Sequence, residues 1–285
     1  YLKALERAYN AHRDARRRLR AVRCAFWLGF RLLMRGEMGR ATGWFSRAQR
    51  LLERDARECA ERGYLLLPVV EQRLESGDYE AAYAAAADAA AVGERCGDPD
   101  LVACARHQQG RIRLQQAQVE AGLALLDETM LAVTAGELSP LVTGLMYCSV
   151  IAACQQVYAL DRTREWTAAL AQWCERQPDM VAFAGVCQVH RAEIMQLQGA
   201  WSDAIDEARR ACARSQGIDQ RAAAAALYQQ AEVHRLKGEL AAAEEAYRGA
   251  SRLGLEPQPG LALLRLVQGR SGAAATAIRR VASTT

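Results

Sequence analysis

The sequence has little with which to build a sheet or a disulfide framework. Aromatic residues make up 6 % of 285 positions, and alanine dominates a hydrophobic fraction of 51 %. With β-branched residues sparse as well, this composition suits helices and disfavours strands. Lysine is almost absent, occurring only at Lys3 and Lys237, so nearly all the positive charge is arginine. The formal charge of +4 is mild for this length, and acids and bases alternate along most helical stretches, so the total does not imply nucleic acid. Nine cysteines are an odd number and none share a CxxC spacing. Disulfide and zinc frameworks are therefore not expected, and a reducing, cytoplasmic setting is.

Other absences bear on chemistry and on membranes. No HExxH, GxSxG, GxGxxG or GxxxxGK[ST] occurs, and the four histidines (His12, His107, His190, His234) are scattered. His190 and Glu193 share a helix face and could supply two metal ligands, but a third has no obvious source. No enzyme activity, cofactor or metal is expected. No apolar stretch with a small-residue cleavage site opens the chain. Leu138 to Leu160 lacks charge, yet Ser139, Pro140, Thr143, Ser149, Gln155 and Gln156 argue for a buried helix rather than a membrane span.

What is present is a recurring spacing. From Ala231 to Ala250, small or aromatic residues fall at Ala231, Gly238, Ala243, Tyr247 and Ala250. Small residues let two antiparallel helices approach, and the glycine ends the first before a short turn. Gly238 has counterparts at Gly36, Gly77, Gly199 and Gly269, with Ala117 and Asp161 filling the slot in two degenerate copies. The period near 40 residues predicts two helices per unit. One array over 1–285 is expected, with 1–15 ending a truncated repeat and further repeats at 16–54, 55–97, 98–138, 139–178, 179–218, 219–256 and 257–285. Asp98-Pro99, Ser139-Pro140, Asp179 and Asp219 supply helix starts.

Leu28-Gly29, Gly36, Ala41, Phe45 and Ala48, together with Gly77-Asp78-Tyr79, Ala82 and Gln177-Pro178, resemble the tetratricopeptide repeat family over nearly all of the chain. The resemblance implies an all-α, right-handed solenoid of about seven antiparallel helix hairpins. More narrowly, Gly136 to Pro140, Ala159 to Ala168, Val189 to Ile194 and Glu256 to Gly260 resemble the repeat region of large actinobacterial LuxR-type transcriptional regulators. In that family such a region commonly lies between an ATP-binding module and a helix-turn-helix, neither of which is visible here.

In tetratricopeptide repeats the first helix of each unit lines the concave groove. Residues three and four apart then place His107, Arg111, Gln155, Tyr158, Glu193, Gln196, Tyr228, Glu232 and Arg235 on that face, with Phe26, Phe30 and Leu33 giving an apolar start. Arg13, Arg16, Arg17, Arg18, Arg20 and Arg23 form the one dense basic run, read as a solvated helix face. Trp166, Trp173 and Trp201 read as packing residues. The expected function is a non-enzymatic sensor or docking segment of a LuxR-type regulator. It would take a protein, peptide or small-molecule effector in the groove, without direct DNA or membrane contact. A free-standing scaffold joining proteins is the alternative.

Overall fold

The computed structural model describes residues 2–53, 57–176, 181–217 and 219–282, and every regular element among them is an α-helix. In chain order these are α1 (Leu2–Asp14), α2 (Arg18–Leu33), α3 (Met38–Leu52), α4 (Ala60–Tyr64), α5 (Leu67–Glu75), α6 (Tyr79–Cys96), α7 (Pro99–Gln115), α8 (Val119–Thr134) and α9 (Pro140–Gln156). There follow α10 (Leu160–Arg176), α11 (Val181–Leu197), α12 (Trp201–Ser215), α13 (Gln220–Leu236), α14 (Leu240–Arg252), α15 (Gly260–Val267) and α16 (Ser271–Ala282). The chain divides into two compact units, Tyr1–Met146 and Tyr147–Thr285. Asp179 and Gln177-Pro178, singled out in the sequence, lie outside the described residues.

The helix starts follow from side-chain chemistry. The first N–H groups of a helix have no carbonyl partner within it, and an aspartate just before them can accept instead. Asp98 Oδ1 accepts from the Leu101 N–H at 2.9 Å, with Pro99 filling the first turn, and Asp219 Oδ1 accepts from Arg221 and Ala222 at 3.1 Å.

The helix ends are more uniform still. Gly36, Gly77, Ala117, Tyr158, Gly199, Gly238 and Gly269 all take left-handed backbone, with φ between 57° and 79°. At each, its N–H bonds to the carbonyl three residues back and the next N–H to the carbonyl five before itself, as in Gly238 to Arg235 (3.1 Å) and Glu239 to His234 (2.9 Å). This double bond-back satisfies the last carbonyls of the helix and reverses the chain. The fourth copy of the slot is therefore Tyr158, not Asp161, which lies inside α10. Tyr158 N–H reaches Gln155 O at 3.1 Å and Ala159 N–H reaches Cys154 O at 2.9 Å, which fixes the turn three residues earlier than the sequence suggested. A glycine-based reading misses it because the slot holds an aromatic residue.

Packing within each unit rests on small side chains. Ala41 and Ala48 of α3 and Ala82, Ala86 and Ala89 of α6 are at most 1 % exposed, as are Ala204, Ala208 and Ala211 of α12 and Ala243, Tyr247 and Ala250 of α14. Glycines face each other where α7 meets α8. A Cβ on Gly122 would lie 2.9 Å from the Gly110 carbonyl oxygen and 2.6 Å from Leu114 Cδ2. Neither glycine needs left-handed backbone; a side chain at either would crowd a leucine and the facing carbonyl. Helices touch not only their hairpin partners but also the next first helix, α5 against α7, α11 against α13 and α13 against α15. In that second set of contacts one hairpin packs on the next, as in a stack of repeats.

No helix among the described residues is long and apolar enough to cross a membrane. The uncharged α9 buries Val142, Val150, Ile151 and Cys154 completely.

Candidate functional site

The first helices carry polar side chains that meet across the seam between consecutive hairpins. In the unit Tyr147–Thr285, Gln155 of α9 donates from Nε2 to Glu193 Oε2 of α11 at 2.6 Å, and His190 Nδ1 lies 3.1 Å from the same oxygen. One turn on, Gln229 of α13 donates to Gln196 of α11 at 2.6 Å. Gln155 and Gln196 are half-buried, and the Glu193 side chain is 32 % exposed. Gln155, Glu193 and Gln196 thus present one polar line across α9 and α11 that keeps lone pairs and N–H groups toward solvent, while Gln229 of α13 is buried at 5 % exposure and bonded to Gln196. Such a line, held on stiff helices, can satisfy an extended peptide's backbone or a polar side chain without chemistry of its own.

In the unit Tyr1–Met146 the same arrangement joins α5 to α7. Glu71 Oε1 accepts from Gln108 Nε2 at 2.5 Å and from Arg111 at 2.7 Å, and Arg111 also reaches Gln108 Oε1 at 2.7 Å. Arg111 keeps 32 % of its side chain exposed. His107 is a different case. It is only 5 % exposed, and burial, with the nearby Arg111 charge, pushes its pKa down to about 3. It is a neutral core side chain near pH 7, not a groove ligand.

Four other expected groove residues also have different positions. Tyr158 is the turn residue described above and is 83 % exposed, beyond the end of α9 rather than on its face. Tyr228, Glu232 and Arg235 are occupied in seating α15. Tyr247 donates to Glu232 Oε1, Arg235 bonds Glu232 Oε2 at 2.6 Å, and the Gly260 N–H donates to Tyr228 Oη at 3.2 Å. The Glu232 and Arg235 side chains are only 13 % and 14 % exposed, and burial raises the Tyr228 hydroxyl to about 12. At the expected apolar start of the groove, Phe26 is buried against Trp27, Phe30, Phe45 and Tyr64, while Phe30 and Leu33 are half-buried. Of the tryptophans, Trp173 packs on Tyr147 with ring centroids 6.1 Å apart, whereas Trp201 is 38 % exposed.

Several contacts have no signal in a residue-by-residue reading. Arg23, counted above in a solvated run, lies over the Tyr64 ring at 3.9 Å and bonds Glu61 at 3.0 Å and Asp98 at 2.8 Å. Tyr64 donates to the other Asp98 oxygen at 3.1 Å, so the carboxylate that caps α7 also ties it to α2 and α4. In the other unit the Cys187 thiol hydrogen-bonds Cys174, which holds the Cys174 pKa down and, with burial, raises that of Cys187. All nine thiols are free. What would have revealed several of the paired side chains is the period itself: Arg23 and Glu61, Glu71 and Gln108, Gln155 and Glu193 stand 37 or 38 residues apart.

No family model matches the sequence, and no curated protein matches it. Among solved structures, the chain is similar to NprR in complex with its cognate peptide NprX, with a TM-score of 0.62 and 13 % identity over 91 % of this chain and 77 % of that one. It is also matched to a signal-transduction ATPase with numerous domains and a tetratricopeptide repeat sensor, from Pyrococcus horikoshii. That match has a TM-score of 0.49 and 14 % identity over 90 % of this chain and 39 % of the other. The first likeness bears out the fold: an all-helical, tetratricopeptide-like stack of hairpins.

Proposed function

We propose that the chain is a non-enzymatic sensor or docking segment that takes a peptide along the first helices of the unit Tyr147–Thr285, and that it belongs to a LuxR-type transcriptional regulator. The observation that carries the peptide reading is the half-buried line Gln155–Glu193–Gln196 across α9 and α11, with the buried Gln229 of α13 bonded to Gln196. That the similar NprR structure holds a peptide supports it. A peptide bridging these helices would favour whichever packing of neighbouring hairpins fits it, which is a population shift.

Peptides selected from a random display library on the intact chain provide the test, read by fluorescence polarisation. Glu193→Ala and Gln196→Ala are expected to weaken the selected peptides at least tenfold while helicity by circular dichroism stays the same. Unchanged affinity in a folded double variant overturns the site. The regulator reading is tested by the gene on either side of this segment: a phosphate-binding loop upstream and a helix-turn-helix downstream support it, and stop signals at both ends favour the free-standing scaffold.

A further inference from the structure

The turn between α1 and α2 gathers positive charge in one concave place. Among the described residues, Arg16, Arg17, Arg18, Leu19, Arg20 and Arg57 line a cleft of about 390 Å³, and of these six five are arginine and none is acidic. Arg16, Arg17 and Arg20 are exposed, and no ion pair engages them among the described residues. Arg16 takes left-handed backbone (φ 56°), and its N–H and that of Arg17 bond back to Arg13 and His12 at 3.0 and 2.8 Å. The turn brings Arg16, Arg17, Arg18 and Arg20 to the lining of one cleft. The 16-residue α2 begins at this cleft with no side-chain cap on its first N–H groups.

Arg16, Arg17 and Arg20 bring like charges to one cleft, and a bound anion or salt would screen their repulsion. Guanidinium groups match phosphoryl oxygens in two-pronged geometry, and first-turn N–H groups add donors of the same polarity. The local character of the cleft separates a small anion from a polymer. A nucleic-acid backbone needs a basic track with stacking residues along it, whereas here no aromatic among the described residues lines the cleft and the net charge of the whole chain is only +4. The volume lies in the range of small-molecule sites, about 300–1,000 Å³.

We infer that the cleft formed by Arg16, Arg17, Arg18, Arg20 and Arg57 is a binding site for a small oligophosphate, either inorganic or the phosphate tail of a nucleotide, distinct from the peptide line and independent of it.

The test is isothermal titration calorimetry on the full chain at near-physiological salt, with sodium triphosphate, ATP and a 20-base-pair duplex as separate titrants. Saturable binding of triphosphate with one site per chain is expected. It should weaken at least tenfold in Arg16→Gln/Arg17→Gln/Arg20→Gln and hold within twofold in the charge-matched control Arg50→Gln/Arg164→Gln/Arg209→Gln. Equal affinity for ATP assigns the natural source to a nucleotide tail, and rejection of ATP assigns it to an inorganic anion. The inference is overturned if triphosphate does not bind, if only the duplex binds, if ATP binds without triphosphate, or if the control weakens as much as the cleft variant. A cleft variant with lost helicity is replaced by single Arg16→Gln and Arg20→Gln changes, each expected to weaken triphosphate at least threefold; no effect in either overturns it as well.

Discussion

Tyr158 and Ala117 sit in a backbone conformation that L-residues enter only at a cost, with φ of 57° and 60°. In that region the Cβ crowds a carbonyl oxygen, worth roughly 1–2 kcal/mol, which glycine escapes while losing more chain entropy on folding. The other five copies of the slot are glycine, so the fold tolerates that residue there. A Cβ on those glycines meets nothing within 4 Å, so the strain in the two exceptions is conformational and not a clash. Tyr158→Gly is accordingly expected to stabilise the protein by about 1 kcal/mol, roughly 2–4 °C in melting temperature for a domain of this size. Calorimetry checks it, and an unchanged or lower melting temperature would show that the exposed ring makes a compensating contact.

Between elements, the bond-back turns fix each first helix to its second, and ion pairs then fix one hairpin to the next. Glu244 of α14 shows how such a link responds to pH. Its carboxylate accepts from Arg265 at 2.9 and 3.0 Å and from Gln268 at 3.2 Å, tying α14 to α15. Those hydrogen bonds, with the positive charge of Arg265, hold its pKa at about 2 instead of 4.5. A carboxylate depressed by folding stabilises the fold fully above its unfolded pKa and loses that contribution as the pH falls toward the folded value. Glu244→Gln should therefore lower the melting temperature at pH 7 by an amount that shrinks between pH 4.5 and pH 2. A gap that does not change with pH would mean that the link acts through shape rather than charge.

At the scale of the whole chain, each unit is held by contacts between neighbours, so damage should stay local. Gly260 tests this, because a Cβ there would collide with the Glu232 carboxylate and the Tyr247 hydroxyl. Gly260→Ala is expected to speed amide hydrogen exchange throughout α13 to α16 while leaving α11 and α12 close to the unchanged protein; uniform acceleration would contradict nearest-neighbour stability. The hairpin stack was legible in the sequence because it rests on period and small residues, which a linear reading measures directly. The Asp98 and Asp219 caps were legible for the same reason, being local. The site was less so. Helical spacing put Gln155, Glu193 and Gln196 on one face, but it could not show that Glu232 and Arg235 on an equivalent face are covered by α15, or that His107 turns inward. Those outcomes depend on what packs against the face, and the packing partner is a repeat away.

The pairs that stand 37 or 38 residues apart carry one more consequence, for how such a chain can change. Each added or removed residue turns the rest of a helix by about 100°. A one-residue deletion inside α6 would therefore move Gln108 off Glu71 even though neither residue is altered. Substitutions can be absorbed one at a time, but a change in length disturbs the pairs that span it. In this fold, drift in residue identity is cheap, whereas insertions and deletions are confined to the tips of the turns or to steps of a whole repeat.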